Sequence, residues 1–231
     1  VTKVQIGVQS LDDRILQLNR RGHTVADTKR AARLLRLGGF KTVMHWMPNL
    51  YGATLESDLE DFRRLWDDPA LRPDEIKIYP TALLENTQLY DLWAKGDYKP
   101  YREEDLIELM IACKQRVPPY CRINRLMRDI PAPYIVDGTT KSNLRQIVQQ
   151  RMARRDLECQ CIRCREVRDR RGASLETVSL HPAVYQTDVT VEHFLQYVTP
   201  EGDLAGFLRL SLPKRSRNEL PICEIRDAAM V

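Results

Sequence analysis

Short apolar runs alternate with longer amphipathic stretches through the first half of the chain. The short runs predict buried strands, and the stretches with apolar positions three and four residues apart predict helices. The predicted strands are Val4–Val8, Lys41–Met47 and Glu75–Tyr79, and the predicted helices are Asp12–Asn19, Thr24–Leu37, Glu56–Trp66, Thr87–Ala94 and Glu103–Val117. Strand–helix units in this order favour right-handed crossovers and therefore a parallel sheet or barrel.

Polar residues follow each of the three predicted strands. Gln9-Ser10 come after the first strand, Pro48-Asn49 after the second and Pro80-Thr81 after the third. Parallel α/β folds bind their ligands beyond the carboxyl ends of the strands, where these positions meet. We therefore expect the active site of the first region at these positions.

The pattern changes after Pro118-Pro119. The next stretch is polar and basic, and it predicts a helix near Lys141–Leu157. Further along, Thr187–Val191 and Leu204–Leu212 are rich in β-forming residues and predict strands. We expect this last region to be an incomplete α+β domain.

Composition restricts the class of protein only broadly. Of 231 residues, 43% are hydrophobic and 29% charged, which is ordinary for a globular protein. No apolar run approaches the roughly 20 residues that span a bilayer, so we expect no membrane partner. The six cysteines do not resemble a secreted disulfide scaffold, which favours a reducing, cytoplasmic compartment. Because the chain opens inside a predicted strand, we expect an internal piece of a longer protein.

Basic residues are concentrated in one segment. From Lys114 to Arg171 there are fifteen Lys and Arg against six Asp and Glu, a local charge of +9 where the whole chain carries +4. Such a segment favours RNA binding, because each phosphate contact releases counterions and Tyr120 and Tyr134 could stack on bases. The candidate RNA-binding residues are Lys114, Arg122, Arg125, Arg128, Lys141, Arg145, Arg151, Arg154 and Arg155.

Two further expectations attach to this basic segment. Arg122, Arg125 and Arg128 recur every three residues, and we expect them to line one helical face. The alternative to RNA binding is a charged surface that forms intramolecular salt bridges with the acidic remainder of the chain.

A cysteine triplet lies near the end of the basic segment. Cys159, Cys161 and Cys164 have the short spacing that brings sulfurs onto one soft metal ion. Zinc takes four ligands, so we expect Cys223 as the fourth and keep His181 as the alternative. No water-activating motif accompanies the cluster, which favours a structural zinc over a catalytic one. Three reduced, unliganded thiols are the simpler interpretation.

Four stretches together resemble a known family. They are Ile6–Ser10, Asn19–Thr24, Lys77–Thr81 and Arg128–Pro131. In this order they resemble the catalytic subunit of the elongator complex, in its single-chain bacterial or archaeal form. The resemblance implies an α/β fold with part of a radical S-adenosylmethionine (β/α) barrel over residues 1–118. A basic, zinc-bearing, tRNA-binding linker follows over 119–175, and the start of a GNAT-like acetyltransferase domain over 176–231.

The resemblance also implies an activity, its cofactors and its partners. The family modifies the wobble uridine of tRNA with a carboxymethyl-type group, using S-adenosylmethionine, a [4Fe–4S] cluster and acetyl-CoA. Its iron–sulfur cysteine motif is expected before Val1 and is absent from this sequence. The expected partners are the tRNA anticodon arm and acetyl-CoA. Other elongator subunits are expected for a eukaryote-like protein, and a self-sufficient chain otherwise.

Five residues of the first region are candidates for the site. Gln9 ends a G-V-Q strand that is similar to one in oxygen-independent coproporphyrinogen oxidase, which implies contact with S-adenosylmethionine. Arg21 resembles the arginine that would hold the methionyl carboxylate. His45 lies near the end of an apolar strand, where contact with the cofactor or substrate competes with a satisfied core histidine.

Lys77 and Tyr79 alternate with Ile76 and Ile78, so both face one side of the third strand. If that side is the barrel interior, they lie near the reacting centre as candidate catalytic residues. If it faces helices, their polar ends extend outward to solvent.

Two rival functions remain at this point. The chain could serve as a non-catalytic tRNA-binding scaffold, because the cluster ligands are absent from it. A protein or histone acetyltransferase is the third interpretation, and it depends on the predicted strand around Gly206–Leu212 alone.

Overall fold

The structure is a computed structural model that describes residues 2–128, 130–138, 141, 143–167, 177–214, 223–225 and 228–231. Its strands are β1 (Lys3–Gln9), β2 (Lys41–Trp46), β3 (Glu75–Ile78), β4 (Leu83–Leu84), β5 (Arg122–Arg125), β6 (Ile135–Asp137), β7 (Ser179–Gln186), β8 (Thr190–Val198) and β9 (Leu204–Pro213). Its helices are α1 (Asp13–Leu18), α2 (Val25–Leu37), α3 (Leu55–Asp67), α4 (Gln88–Ala94), α5 (Glu103–Arg116), α6 (Leu144–Ala153) and α7 (Ile162–Arg165). No helix within these ranges is long and apolar enough to cross a bilayer.

A four-stranded parallel sheet forms the centre of the first region, as the strand–helix alternation predicts. Its order is β1-β2-β3-β5, and every neighbouring pair runs parallel. The three predicted strands and five predicted helices are confirmed to within one or two residues at each end. The mixed α/β class with a parallel sheet is therefore confirmed.

The two faces of the parallel sheet differ in polarity. Trp46, Ile76 and Ile78 are fully buried on the side that packs against the helices. On the other side, Gln5 is exposed and Lys77 only half-buried. The period of two along each strand produces this separation, because successive side chains point to opposite faces. One face therefore belongs to the core and the other presents polar groups.

Helix α3 shows how local sequence fixes an element and what the element buries. Thr54 accepts a hydrogen bond from the Ser57 amide while Ser57 Oγ accepts one from the Thr54 amide, a capping box that starts the helix. Phe62 and Leu65 lie on its inner side with no exposed surface. Truncating a buried Phe to Ala costs about 3–5 kcal/mol of unfolding free energy, far more than either cap hydrogen bond.

The structure corrects two sequence expectations about secondary structure. Arg122–Arg125 forms β5, so Arg122, Arg125 and Arg128 do not line a helical face. Ile123 explains the difference, because it is fully buried between the sheet and its neighbours and extends the core by one strand. The interval Thr187–Val191, predicted as a strand, is mostly the turn between β7 and β8.

Strand β7 has no counterpart in the sequence predictions. It contains Pro182, which cannot donate a ladder hydrogen bond. The strand order β7-β8-β9 places β7 at an edge, where proline is tolerated. The last region thus contains an antiparallel sheet, of which Leu204–Leu212 alone was predicted in place.

A buried ionic cluster joins the antiparallel sheet to the parallel one. Asp74 accepts hydrogen bonds from Arg36 at 2.9 Å and from Arg209 of β9 at 3.0 Å, and its carboxylate also accepts from the Thr42 amide at 2.8 Å. Burial alone would raise the pKa of Asp74, but the two guanidinium groups outweigh it and hold the pKa at about 2. Next to this cluster, the Tyr120 and Tyr185 rings stack 3.7 Å apart.

Candidate site: a polar sheet edge, an arginine cleft and a cysteine cluster

The end of β1 brings Gln9 and Arg21 together. Gln9 is buried and has a φ of +65°, an uncommon conformation for a side-chain residue that often marks functional sites. Its amide folds over Gly7: a Cβ at Gly7 would lie 2.7 Å from Gln9 Nε2 and 3.8 Å from a terminal nitrogen of Arg21. An amide and a guanidinium side by side at the carboxyl end of a strand can bind a carboxylate and a polar group of one ligand.

The two candidate catalytic residues, Lys77 and Tyr79, and the candidate cofactor-binding residue His45 share the open face of the sheet. Gln5 Oε1 accepts a hydrogen bond from Lys77 Nζ at 2.9 Å and lies 3.0 Å from His45 Nε2. The His45 ring meets the Tyr79 ring edge-on at 5.5 Å. This face is turned away from the buried helix-packed side. Lys77 and Tyr79 therefore do not face the helices, which was the second of the two alternatives for their side of the strand.

The electrostatics of this face favour a neutral imidazole. Burial lowers the pKa of His45, and the charges of Lys77 and Arg128 lower it further. Neutral His45 can donate and accept one hydrogen bond each, while Lys77 supplies a fixed positive charge beside it. Gln5, which connects the two, was not among the predicted residues, although its alternation with Val4 and Ile6 places it on the same face as Gly7.

Two buried carboxylates, which sequence reasoning missed, bind the loops that follow β1 and β2. Asp58 accepts hydrogen bonds from the Asn49 amide at 2.7 Å and from the Tyr101 hydroxyl at 2.8 Å. Asp61 accepts from the Ser10 hydroxyl at 2.9 Å, which fixes the loop after β1. Burial raises the pKa of Asp58 to about 7. Their spacing on the apolar side of α3 is the signal that could have identified them.

An arginine cleft of about 640 Å³ opens beside this polar face, beyond the end of β5. The arginines that line it are Arg125, Arg128, Arg145 and Arg163. Arg145 donates to the Ile123 carbonyl at 2.9 Å and Arg163 to the Asn124 carbonyl at 3.0 Å, so both are held in place by β5. Burial lowers the pKa of Arg145, and the neighbouring charge of Arg163 adds to this.

Arg145, which lines the cleft, has a guanidinium nitrogen without a hydrogen-bond partner in the described part of the chain. The second terminal nitrogen of Arg145, Nη1, is buried and finds no hydrogen-bond acceptor among the described residues. A buried donor without an acceptor is costly, and so is a cluster of like charges. An anion with several oxygens, such as a phosphate, would relieve both. The cleft is therefore suited to a phosphate-bearing ligand.

Other members of the predicted RNA-binding set are engaged with acidic side chains. Arg151 donates to Glu104 at 2.8 Å and Arg155 to Glu108 at 2.7 Å, both across to α5. The remaining pairs are Arg122 with Glu166, and Lys141 with Glu103 at 3.6 Å. For these residues the structure has the intramolecular salt bridges that the alternative interpretation describes. Arg154 is exposed.

Two expectations about the basic segment are wrong. Lys114 is fully buried, and its Nζ lies 3.3 Å from Cys164 Sγ, so it cannot meet a phosphate at the surface. Tyr120 is 7% exposed and stacked on Tyr185, so it cannot stack on a base. Tyr134 remains 67% exposed. In both corrected cases the side chain has an apolar body that the core covers.

The cysteine triplet converges. The sulfurs of Cys159, Cys161 and Cys164 all lie within 4.8 Å of one another. Zinc–sulfur bonds of about 2.3 Å in a tetrahedron set sulfurs about 3.8 Å apart, so the three thiols fit a zinc ion. Sulfur hydrogen bonds from Cys159 and Cys161 lower the pKa of Cys164, and the Lys114 charge adds to this.

The fourth zinc ligand, expected to be Cys223 or His181, stays a prediction. The side chain of Cys223 lies outside the described residues. His181 is exposed on β7, with its Nε2 2.8 Å from Ser179 Oγ, and does not belong to the cluster of donors that the described residues form. The cluster thus supplies three ligands from the described part of the chain.

Comparison with known proteins adds family information. Residues 73–154 match the model of the Radical_SAM C-terminal domain. A tRNA uridine(34) acetyltransferase of Methanocaldococcus jannaschii is 41% identical over 226 residues, which is 95% of this chain and 42% of that protein. Elongator complex protein 3 of Homo sapiens is 37% identical over 219 residues, or 90% of this chain and 39% of that protein.

A solved structure agrees with the fold. Archaeal Elp3 from Methanocaldococcus infernus, with an N-terminal deletion, superimposes with a TM-score of 0.87 at 41% identity. The match covers 92% of this chain and 51% of that one. The chain spans 42% of the length of the first curated relative that it matches.

Proposed function

The chain belongs to the family of the tRNA uridine(34) acetyltransferases and Elongator complex protein 3, and from that premise we propose that it takes part in modifying uridine 34 of tRNA. The observation that carries the proposal is the arginine cleft beside the polar face of the parallel sheet. A phosphate in the cleft would bring an RNA nucleotide towards His45, Lys77 and Tyr79. The polar face and the RNA-binding surface are then parts of one site.

The cofactor end of this site lies at the carboxyl end of β1. In the proposal, Arg21 binds the carboxylate of S-adenosylmethionine and Gln9 hydrogen-bonds another polar group of the same molecule. Bound with an iron–sulfur cluster, S-adenosylmethionine supplies radical chemistry to enzymes of this class. Gly7 keeps the approach open, because a Cβ there would collide with the Gln9 amide. The cluster ligands are assigned to no residue of this chain.

The polar face would orient the substrate base. Lys77 and neutral His45 are positioned to hydrogen-bond a uridine carbonyl, with Tyr79 beside them as a ring on which the base could stack. In this proposal these residues bind and orient, and Lys77 and Tyr79 are the ones nearest to the reacting base. The carboxymethyl-type product and the use of acetyl-CoA rest on the family alone.

The three-part division of the chain also belongs to the proposal. Residues 1–118 would hold the cofactor, 119–175 the tRNA contacts and the zinc, and 176–231 the first part of an acetyltransferase domain. The Radical_SAM C-terminal match runs from 73 to 154, across the first boundary. Zinc at Cys159, Cys161 and Cys164 would fix the segment after α6 to β5, since the Ile162 amide already donates to the Cys121 carbonyl.

Binding of labelled tRNA tests the RNA part. The chain should bind a tRNA with uridine 34 more tightly than duplex DNA of equal charge, measured by fluorescence anisotropy at fixed salt. Equal affinity for the two would mean charge attraction alone and would overturn the assignment.

Binding of S-adenosylmethionine separates an enzyme from a tRNA-binding scaffold. Arg21→Ala should weaken binding by about tenfold in calorimetry, as loss of a charge-assisted hydrogen bond does. Arg20→Ala is the matched control, because Arg20 is the neighbouring exposed arginine. Equal effects of the two substitutions would favour the scaffold.

A further inference from the structure

Lys114 is a buried cation that the proposed function does not use. It lies on α5, has no exposed surface, and its ammonium donates to Cys164 Sγ at 3.3 Å. That sulfur is the hydrogen-bond partner which the described residues provide for it. A lone ammonium in the interior is strongly disfavoured unless an opposite charge compensates it. The position of Lys114 therefore indicates a negative charge at the cysteine cluster.

The cluster supplies that charge when it holds a metal. Three thiolates around one divalent ion carry a net charge of −1, and a fourth thiolate would make it −2, so an ammonium beside them compensates part or all of that charge. The other donor near the same sulfur is neutral and more distant, Gln149 Nε2 at 3.8 Å. Arg145 and Arg165 also act electrostatically on the cysteines, but of these three cations Lys114 is the one that donates a hydrogen bond to a cluster sulfur.

Cys164 is also the member of the cluster with access to solvent. It is half-buried where Cys159 and Cys161 are buried, and it lines a cleft of about 500 Å³ together with Lys114 and Gln149. A metal-bound thiolate facing solvent is open to alkylation and oxidation, and a hydrogen bond from a cation reduces its nucleophilicity. Lys114 thus lines the same cleft as the sulfur to which it donates.

We propose that Lys114 is the counter-charge of the cysteine cluster: its ammonium neutralises the three-thiolate metal site and shields the Cys164 sulfur. The inference rests on the proposed zinc, and it adds a charged residue from α5, 45 positions before the first cysteine, to a site for which the sequence predicts only the ligands. The role is one of positioning and charge balance. It makes the metal affinity depend on a helix of the first region.

Metal competition on the full chain tests this role. Zinc affinity is measured against a chromophoric chelator for the wild type, Lys114→Met, Lys114→Gln and Lys114→Arg. Outer-shell substitutions at metal sites lower affinity about 10- to 100-fold, and we expect that loss for Lys114→Met and most of it for Lys114→Gln, which keeps a donor without the charge. Lys114→Arg keeps the charge and should stay within about threefold of the wild type.

The control variant is Gln149→Leu, which removes the neutral donor near the same sulfur and should also stay within about threefold. A second readout follows alkylation of Cys164 by iodoacetamide in the zinc-loaded proteins, with mass spectrometry. Lys114→Met should speed alkylation at Cys164, whereas a merely structural lysine would leave the rate unchanged. Circular dichroism checks that each variant is folded.

The outcomes separate the inference from the metal proposal. Zinc bound by the wild type and equally tightly by Lys114→Met would overturn the role of Lys114 and leave the metal in place. A wild type that holds no zinc would overturn both. Equal losses for Lys114→Met and Lys114→Arg, or loss of folding in both, would mean that the site needs the shape of lysine and would refute the counter-charge.

Discussion

Two sets of arginines from one basic segment have opposite surroundings. Arg151 and Arg155 on α6 face the carboxylates of Glu104 and Glu108 on α5. Arg125 and Arg128, at the end of β5 and just beyond it, are exposed at the rim of the arginine cleft. The local charge of +9 counts all of them alike. The carboxylates of α5 therefore distinguish the α6 arginines from those at the cleft.

The comparison shows why the paired set contributes little to either function or stability. An exposed ion pair is worth about 0–1 kcal/mol, because water screens it and side-chain entropy opposes it. An arginine in such a pair must leave its carboxylate before it can bind a phosphate. The cleft set brings Arg125, Arg128, Arg145 and Arg163 together around one cavity, and such a group of like charges attracts a phosphate.

The largest expected effect is on stability, and it concerns Arg36 and Arg209, which pair with Asp74 in the interior. Asp74→Asn removes the charge that compensates Arg36 and Arg209, and it should lower the free energy of unfolding by about 3–5 kcal/mol. Denaturant unfolding measures this, with Asp105→Asn in the exposed pair with Arg102 as the control, expected to cost at most about 1 kcal/mol. A similar small loss in both variants would contradict the distinction between buried and exposed pairs.

The same carboxylate gives the buried pair a pH signature. The pKa of Asp74 is about 2 in the folded chain, below its unfolded value, so its contribution is complete above about pH 4 and disappears as the pH falls towards 2. The wild type should lose stability over this interval more steeply than Asp74→Asn. Asp58 acts in the opposite sense at higher pH, because its raised pKa of about 7 adds stability as the pH falls from 7 towards 4. Parallel acid limbs in the two proteins would refute the account of Asp74.

The next effect in size concerns the cleft set. Arg125→Ala with Arg128→Ala should weaken tRNA binding by about 10- to 100-fold at moderate salt, because two phosphate contacts are lost. Arg151→Ala with Arg155→Ala is the matched control and should change affinity by less than about threefold. Equal losses would erase the difference between the two sets.

The smallest expected effect is an increase in tRNA affinity. Glu104→Gln with Glu108→Gln would release Arg151 and Arg155 and remove two negative charges from the neighbourhood of the RNA. We expect tRNA affinity to rise by about two- to threefold, measured in the same titration. An unchanged or weaker affinity would mean that α6 lies away from the bound RNA even when its arginines are released.

The periodic parts of the fold could be predicted from the sequence. The helix at Glu103–Val117 and the strand at Lys41–Met47 were found because their apolar positions repeat with the period of one face. Strand β7 was missed because its edge position, which tolerates Pro182, depends on a partner strand elsewhere in the chain. Local periodicity thus predicts most helices and strands, whereas an edge strand such as β7 depends on the strand beside it.

The surroundings of the site residues are harder to predict from the sequence than the helices and strands, as Lys114 illustrates. Its charge placed it with the basic segment, whereas its position on the inner side of α5 places it beside Cys164, 50 residues away. The pairing of Arg151 with Glu104 joins residues 47 apart and was equally invisible. The convergence of the three cysteines was predictable because their short spacing confines the sulfurs. Contacts between charged residues far apart in the sequence can be identified only once the fold is known.

The salt dependence of tRNA binding tests the central claim most directly. The logarithm of affinity is plotted against the logarithm of salt concentration for the wild type, the Arg125/Arg128 double-alanine variant and the Arg151/Arg155 double-alanine variant. We predict a slope lower by about 2 in magnitude for the first variant, one unit per lost phosphate contact, and the wild-type slope for the second. Equal slopes in the two variants would contradict the claim that the arginine cleft, rather than the basic segment as a whole, binds the RNA.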